Sequence, residues 1–118
     1  MITGSVSEDG VPLIAISVAD REWRATIDTG FNGGLELPEP LRPFVNPRFV
    51  GRIRFLLGAG QTAVEDTFLV NFTLDEETVL AEAAFTLADE ILVGTGMLRQ
   101  HQLEIHFPNH TVFLRRVA

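Results

Sequence analysis

An apolar strand that ends on an acid and runs directly into glycines constrains this chain more than any other feature. The run is Trp23-Arg24-Ala25-Thr26-Ile27-Asp28-Thr29-Gly30-Phe31-Asn32-Gly33-Gly34-Leu35-Glu36-Leu37. A carboxylate at the mouth of a buried strand is costly to ionise unless hydrogen-bond donors surround it. Here a hydroxyl follows, and then glycines, so backbone amides can approach closely. A loop of this kind is built to hold a reactive carboxylate, and the chain has one of them.

The segments around it read as short strands. Val11 to Val18 is β-branched and apolar, Ala19-Asp20-Arg21 is a turn, and Glu22 to Ile27 returns as the strand that delivers Asp28. Leu35-Glu36-Leu37 alternates and predicts a short strand. Prolines 38, 40, 43 and 47 then forbid a long helix or a central strand and predict an irregular loop with at most one helical turn. Phe49 to Leu57 and Thr62 to Thr73 alternate on either side of Gly58-Ala59-Gly60-Gln61, which predicts a long hairpin with a mobile glycine-containing tip. Thr78 to Leu87 suits a strand better than a helix because of Thr78, Val79, Phe85 and Thr86. Glu90 to Val93 is a short buried strand. Thr95 to Gln102 predicts the one short helix, capped by Thr95, and Leu103 to Phe107 with Thr111 to Leu114 predict a closing hairpin. The fold class expected is all-β, a partly closed barrel or sandwich formed by a single domain over residues 1–118.

Composition removes several kinds of chemistry. The chain has no cysteine, which excludes disulfides and thiolate catalysis, and no lysine, which excludes Schiff-base chemistry and a P-loop. A net charge of −7 with scattered arginines argues against nucleic acid as a partner. No stretch approaches the roughly 18 apolar residues of a membrane span, and no export signal is apparent, so the cytoplasm is the expected location. Two sequons, Asn71-Phe72-Thr73 and Asn109-His110-Thr111, read as chance triplets in strand and turn sequence. His101, His106 and His110 lack an acid cluster to complete a metal site, so neither a metal nor a cofactor is expected.

Two motifs carry a resemblance. Ala25-Thr26-Ile27-Asp28-Thr29-Gly30 is followed by Ile91-Leu92-Val93-Gly94-Thr95-Gly96-Met97-Leu98, with the glycine-tipped hairpin between them. In order and spacing, from about Pro12 to Leu114, this is similar to the retropepsin-like aspartic proteases and their single-domain cellular relatives. The resemblance implies a partly closed β-barrel with one short C-terminal helix. It implies that Asp28, Thr29 and Gly30 form the catalytic loop, that Thr29 bonds across to a partner loop, and that Gly58, Ala59, Gly60 and Gln61 form a flap over substrate. Phe31, Asn32 and Val93 are expected to line the substrate site with them. One Asp-Thr-Gly per chain implies a homodimer cutting peptide or unfolded protein, with Met1 to Ser7 and Phe113 to Ala118 interleaved between subunits.

Some positions depart from the retroviral pattern. Phe31 stands where a small residue is usual, and there its ring narrows the cleft or fills a substrate pocket. Asn32 and Thr95 replace a charged pair, and Gly96 replaces an Asn or an acid. Two other readings therefore stand beside the peptidase: a non-catalytic dimerisation or peptide-binding module on the same fold, and an unrelated ligand-binding β-barrel.

Overall fold

The computed structural model describes residues Met1–Val117. Ten strands follow in chain order: β1 Ile2–Val6, β2 Pro12–Val18, β3 Arg21–Ile27, β4 Leu35–Pro38, β5 Arg48–Leu56, β6 Thr62–Leu74, β7 Glu77–Thr86, β8 Ile91–Val93, β9 His101–His106 and β10 Thr111–Arg116. They form one sheet in the order β5-β6-β7-β4-β8-β3-β2-β1-β10-β9. A single apolar core joins Val112 and Leu114 of β10 to Val70 and Phe72 of β6, so the sheet curls over itself. Its outermost strands, β5 and β9, do not pair with each other, and the barrel stays open.

The three central strands set the geometry of the acid loop. β3 pairs in parallel with β8, Ala25 to Ile91 and Ile27 to Val93, while β8 pairs antiparallel with β4, Val93 to Leu35. Ala25, Ile27, Leu35, Leu37, Ile91 and Val93 all face the core, at 2% exposure or less. Side chains alternate across a strand. The intervening set, Thr26, Leu92 and Glu36, which lie side by side in the ladder, therefore faces the other way.

One expectation is corrected. The helix over Thr95 to Gln102 is a single 3-10 turn, Thr95–Met97. The Thr95 and Gly96 amides are taken by the carbonyls of Phe31 and Gly33, and the chain then extends into β9 at His101. The chain ends also join the chain's own sheet. β1 pairs with β10 on one side, Ile2 to Leu114, and with β2 on the other, Ser5 to Leu13, while β10 continues into β9. Within the chain β1 pairs with β2 at Ser5 and Val6 only, whereas β10 pairs with β9 along its length. Ala118, the last residue of the expected interleaving, lies outside the described residues.

The proline-rich segment is a 3-10 helix over Glu39–Phe44, which buries Leu41 and pairs Arg42 with Glu39. Among the described residues, no helix is long and apolar enough to cross a membrane.

Candidate active site

Asp28 follows the last residue of β3, where the chain leaves the sheet. Its amide still donates to the Val93 carbonyl, 2.9 Å away, which fixes the backbone to β8. One carboxylate oxygen, Oδ1, accepts from the Gly30 amide at 2.9 Å. The loop closes with the Phe31 amide on the Asp28 carbonyl at 3.2 Å. Asp28 is half-buried, and Thr29 and Gly30 are exposed. The acid is therefore oriented by a backbone donor and open to a reactant, on the sheet face that also carries Leu92 and Glu36.

Beneath the loop the packing is too tight for side chains. A methyl on Gly94 would lie 2.2 Å from the Gly33 carbonyl oxygen and 2.6 Å from the Phe31 ring, and one on Gly33 would lie 2.5 Å from the same ring. Phe31 fills the space these two glycines leave. It is 1% exposed and meets Phe55 edge to face, with ring centroids 5.5 Å apart. Its ring neither narrows the cleft nor lines it, contrary to expectation, because the absence of Cβ at Gly33 and Gly94 gives it an interior berth. Val93 is likewise fully buried, turned to the core by the parity of β8.

The β5–β6 hairpin roofs this face. Its register pairs Ile53 with Glu65 and Phe55 with Ala63. These residues and Thr67 are buried or half-buried on the underside, whereas Arg52, Arg54, Val64 and Asp66 are exposed on the outer side. At the tip, Gly58–Gly60 form a 3-10 turn in which Ala59 and Gly60 take left-handed φ of 60° and 74°. The tip comes down onto the acid loop, for a methyl on Gly30 would lie 3.4 Å from the Gly58 Cα. Gly58, Ala59, Gly60 and Gln61 are all exposed. Asn32, also exposed, ties the hairpin to the loop: its side-chain oxygen accepts from the Leu56 amide at 2.7 Å.

The Glu36 and Glu65 carboxyls escaped the sequence reading. Glu36 projects from the floor beside Leu92, and Glu65 descends from the hairpin to within hydrogen-bonding reach of it. Burial raises the Glu36 carboxyl to about 7, and the hydrogen bond and charge of Glu65 and the charge of Asp28 push the same way. The alternation of Leu35-Glu36-Leu37 was the available signal. What it lacked was the sheet order that puts Glu36 on the same face as Asp28. The two other candidate acids lie elsewhere: Asp66 pairs with Arg52 on the outer side of the hairpin, and Asp89 is exposed in the turn before β8. His106 contacts Glu104, and His110 contacts the Val6 carbonyl.

No family model matches the sequence, and no curated protein matches it at a significant level. Solved structures do. The crystal structure of a retropepsin-like aspartic protease from Rickettsia conorii is similar over 95% of this chain and 87% of that one, with a TM-score of 0.64 and 16% identity. The foamy viral protease–reverse transcriptase, solved with an RNA/DNA hybrid, is similar over 80% of this chain and 13% of that one, with a TM-score of 0.56 and 17% identity. The fold is retropepsin-like.

Proposed function

We propose that this protein is an aspartic peptidase, active as a homodimer in which the Asp28 carboxylates of two copies share one water. The observation that carries this reading is the Asp28 carboxylate itself. It is held by the Gly30 amide on the open face of the sheet, under a glycine-tipped hairpin, in a retropepsin-like fold. The mechanism needs two such groups, and one chain supplies one.

Two carboxyls about 3 Å apart cannot both ionise, so the pair shares a proton. The ionised member takes a proton from water as that water attacks the peptide carbonyl. The protonated member donates to the carbonyl oxygen as it becomes a hydroxyl. Collapse of the tetrahedral species returns a proton to the leaving amine. Thr29, exposed beside Asp28, is suited to bond across the two-fold axis and fix the two acids. The hairpin tip offers backbone donors and acceptors to an extended peptide and excludes water when closed. The contact between copies then includes the acid loops, which carry Asp28 and Thr29.

Cleavage of an unfolded protein at acidic to neutral pH, blocked by a statine-type inhibitor, tests the reading. Asp28→Asn is expected to lower the rate by at least about 10²–10⁴-fold with the fold intact. Dimers that bind peptide but never cut it would mark a binding module instead.

A further inference from the structure

β5 is one of the two outermost strands of the sheet, and among the described residues no strand lies against its outer edge. The ladder with β6 fixes which backbone groups it offers there. The Leu57 amide donates to the Gln61 carbonyl, at 2.8 Å, so that position bonds inward to the hairpin's other arm. Positions alternate along an antiparallel pair, so Leu56, Arg54 and Arg52 turn their amides and carbonyls outward. Leu56 shows this directly, since both its groups leave the hairpin for Asn32. The outward groups of Arg54 and Arg52 continue the same edge. Between Arg48 and Leu56 the strand carries three of the chain's nine basic residues and no acid, in a protein of net charge −7. Arg52 reaches Asp66 at 3.4 Å, but both side chains are mostly exposed, and such a pair is weak. Arg48 and Arg54 make no ion pair among the described residues. A charged edge discourages pairing with its own copies. A second β5 laid antiparallel and centred on Ile53 would set Arg52 against Arg54, like charge opposite like. The same arginines suit a strand of opposite charge.

We propose that the outer edge of β5 docks an extended acidic segment of a protein partner, with aspartate or glutamate at every second position. The added strand closes hydrogen bonds to the outward amides and carbonyls of Arg52 and Arg54. Side chains two residues apart share one face of a strand, so alternate acids come to lie beside the two guanidiniums on the outer side of the hairpin. The net charge of −7 opposes an acidic ligand at long range, so attachment depends on this local cluster. A nucleic acid could pair with the guanidiniums but would leave the strand's backbone groups unused, and the open edge therefore favours a peptide. The surface includes neither Asp28 nor the underside of the hairpin, and it does not depend on the peptidase reading.

The test titrates the full-length protein into a fluorescein-labelled peptide of alternating glutamate and threonine and follows its anisotropy. The peptide should bind, and raising the salt from about 0.05 to about 0.5 M should weaken binding, as exposed ion pairs are screened. Arg52→Glu combined with Arg54→Glu should weaken it by about tenfold or more and should gain affinity for a peptide of alternating lysine and threonine, with circular dichroism checking the fold. The milder pair Arg52→Gln and Arg54→Gln should shift the affinity for the acidic peptide in the same direction. In the wild-type complex, amide exchange at Arg52 and Arg54 should slow as the edge acquires a partner strand. No binding at low salt would show that the arginines only guard the edge, and would overturn the proposal. Binding that both double variants leave unchanged, binding without protection of those two amides, or tighter binding of an oligothymidylate at the same arginines would overturn it as well.

Discussion

Asn32 and Leu56 exchange two hydrogen bonds. The Asn32 side-chain oxygen accepts from the Leu56 amide at 2.7 Å, and the Asn32 amide donates to the Leu56 carbonyl at 3.3 Å. The acid loop and the hairpin base are thereby clamped to each other within one chain. The clamp ends at Leu56, and the exposed tip Gly58–Gly60 lies beyond it. The neutrality of Asn32 is part of the device, since an aspartate there would hold the same amide but add a fourth carboxyl near Asp28, Glu36 and Glu65.

Asn32→Ala removes the side-chain half of the clamp. Because Leu56 is exposed, the cost in stability is expected at the low end of a hydrogen bond's worth, about 0.5 kcal/mol. The larger effect falls on the hairpin, where amide exchange at Leu56 and its β6 neighbours should accelerate relative to β2 and β3. Unchanged exchange at Leu56 would show that the clamp does not hold the hairpin.

Phe31→Ala should destabilise the fold by about 3–5 kcal/mol, the usual result of emptying a buried aromatic site. Gly33, Gly94 and Phe55 form the walls of that site, and the two glycines have no side chain to fill it. Urea unfolding measures the loss. A ring that plugged the cleft would behave oppositely: its removal would leave stability intact and speed peptide entry.

The Glu36 carboxyl makes stability depend on pH in a definite direction. Its folded value, about 7, lies above the ordinary 4.5, so the folded state keeps a proton that the unfolded chain releases. Stability from this group is therefore fully present below about pH 4.5 and is lost as the pH rises to about 7. His101 acts in the other sense. Burial lowers its imidazole, as does the charge of Arg116, against opposing effects of Asp75 and Glu77, so it disfavours the folded state as the pH falls below its ordinary 6.5. Glu36→Gln separates the two. Thermal melting of the variant should match wild type at the acid end of the window and exceed it at the neutral end, where wild type alone carries a desolvated charge. Parallel melting curves across the whole window would contradict this assignment.

The strand that delivers Asp28 was legible because its alternation is strong and its end is marked by glycines. The hairpin was legible for the same reason, with Gly58 and Gly60 marking its tip. β1 was not read as a strand of the sheet. Gly4 and Ser5 are weak strand formers, yet Gly4 is what lets β1 lie on β2, since a methyl there would be 2.1 Å from the Leu13 carbonyl oxygen. The helix expected after Gly94 stops after one turn for a nonlocal reason: from His101 the chain is taken up by pairing with β10. Gln102, Leu103, Glu104, Ile105 and His106 alternate as a strand should, and β9 takes them all. Glu36 shows the same limit at the site: its own alternation was visible, but the face it shares with Asp28 depends on β8 lying between β3 and β4.

The most direct measurement is a crystal structure of the protein grown with a statine-type inhibitor. The account predicts a two-fold dimer in which the Asp28 carboxylates of both copies lie about 3 Å apart and share the inhibitor's hydroxyl. An inhibitor bound to a single Asp28, or an assembly in which no second Asp28 reaches the first, would contradict it.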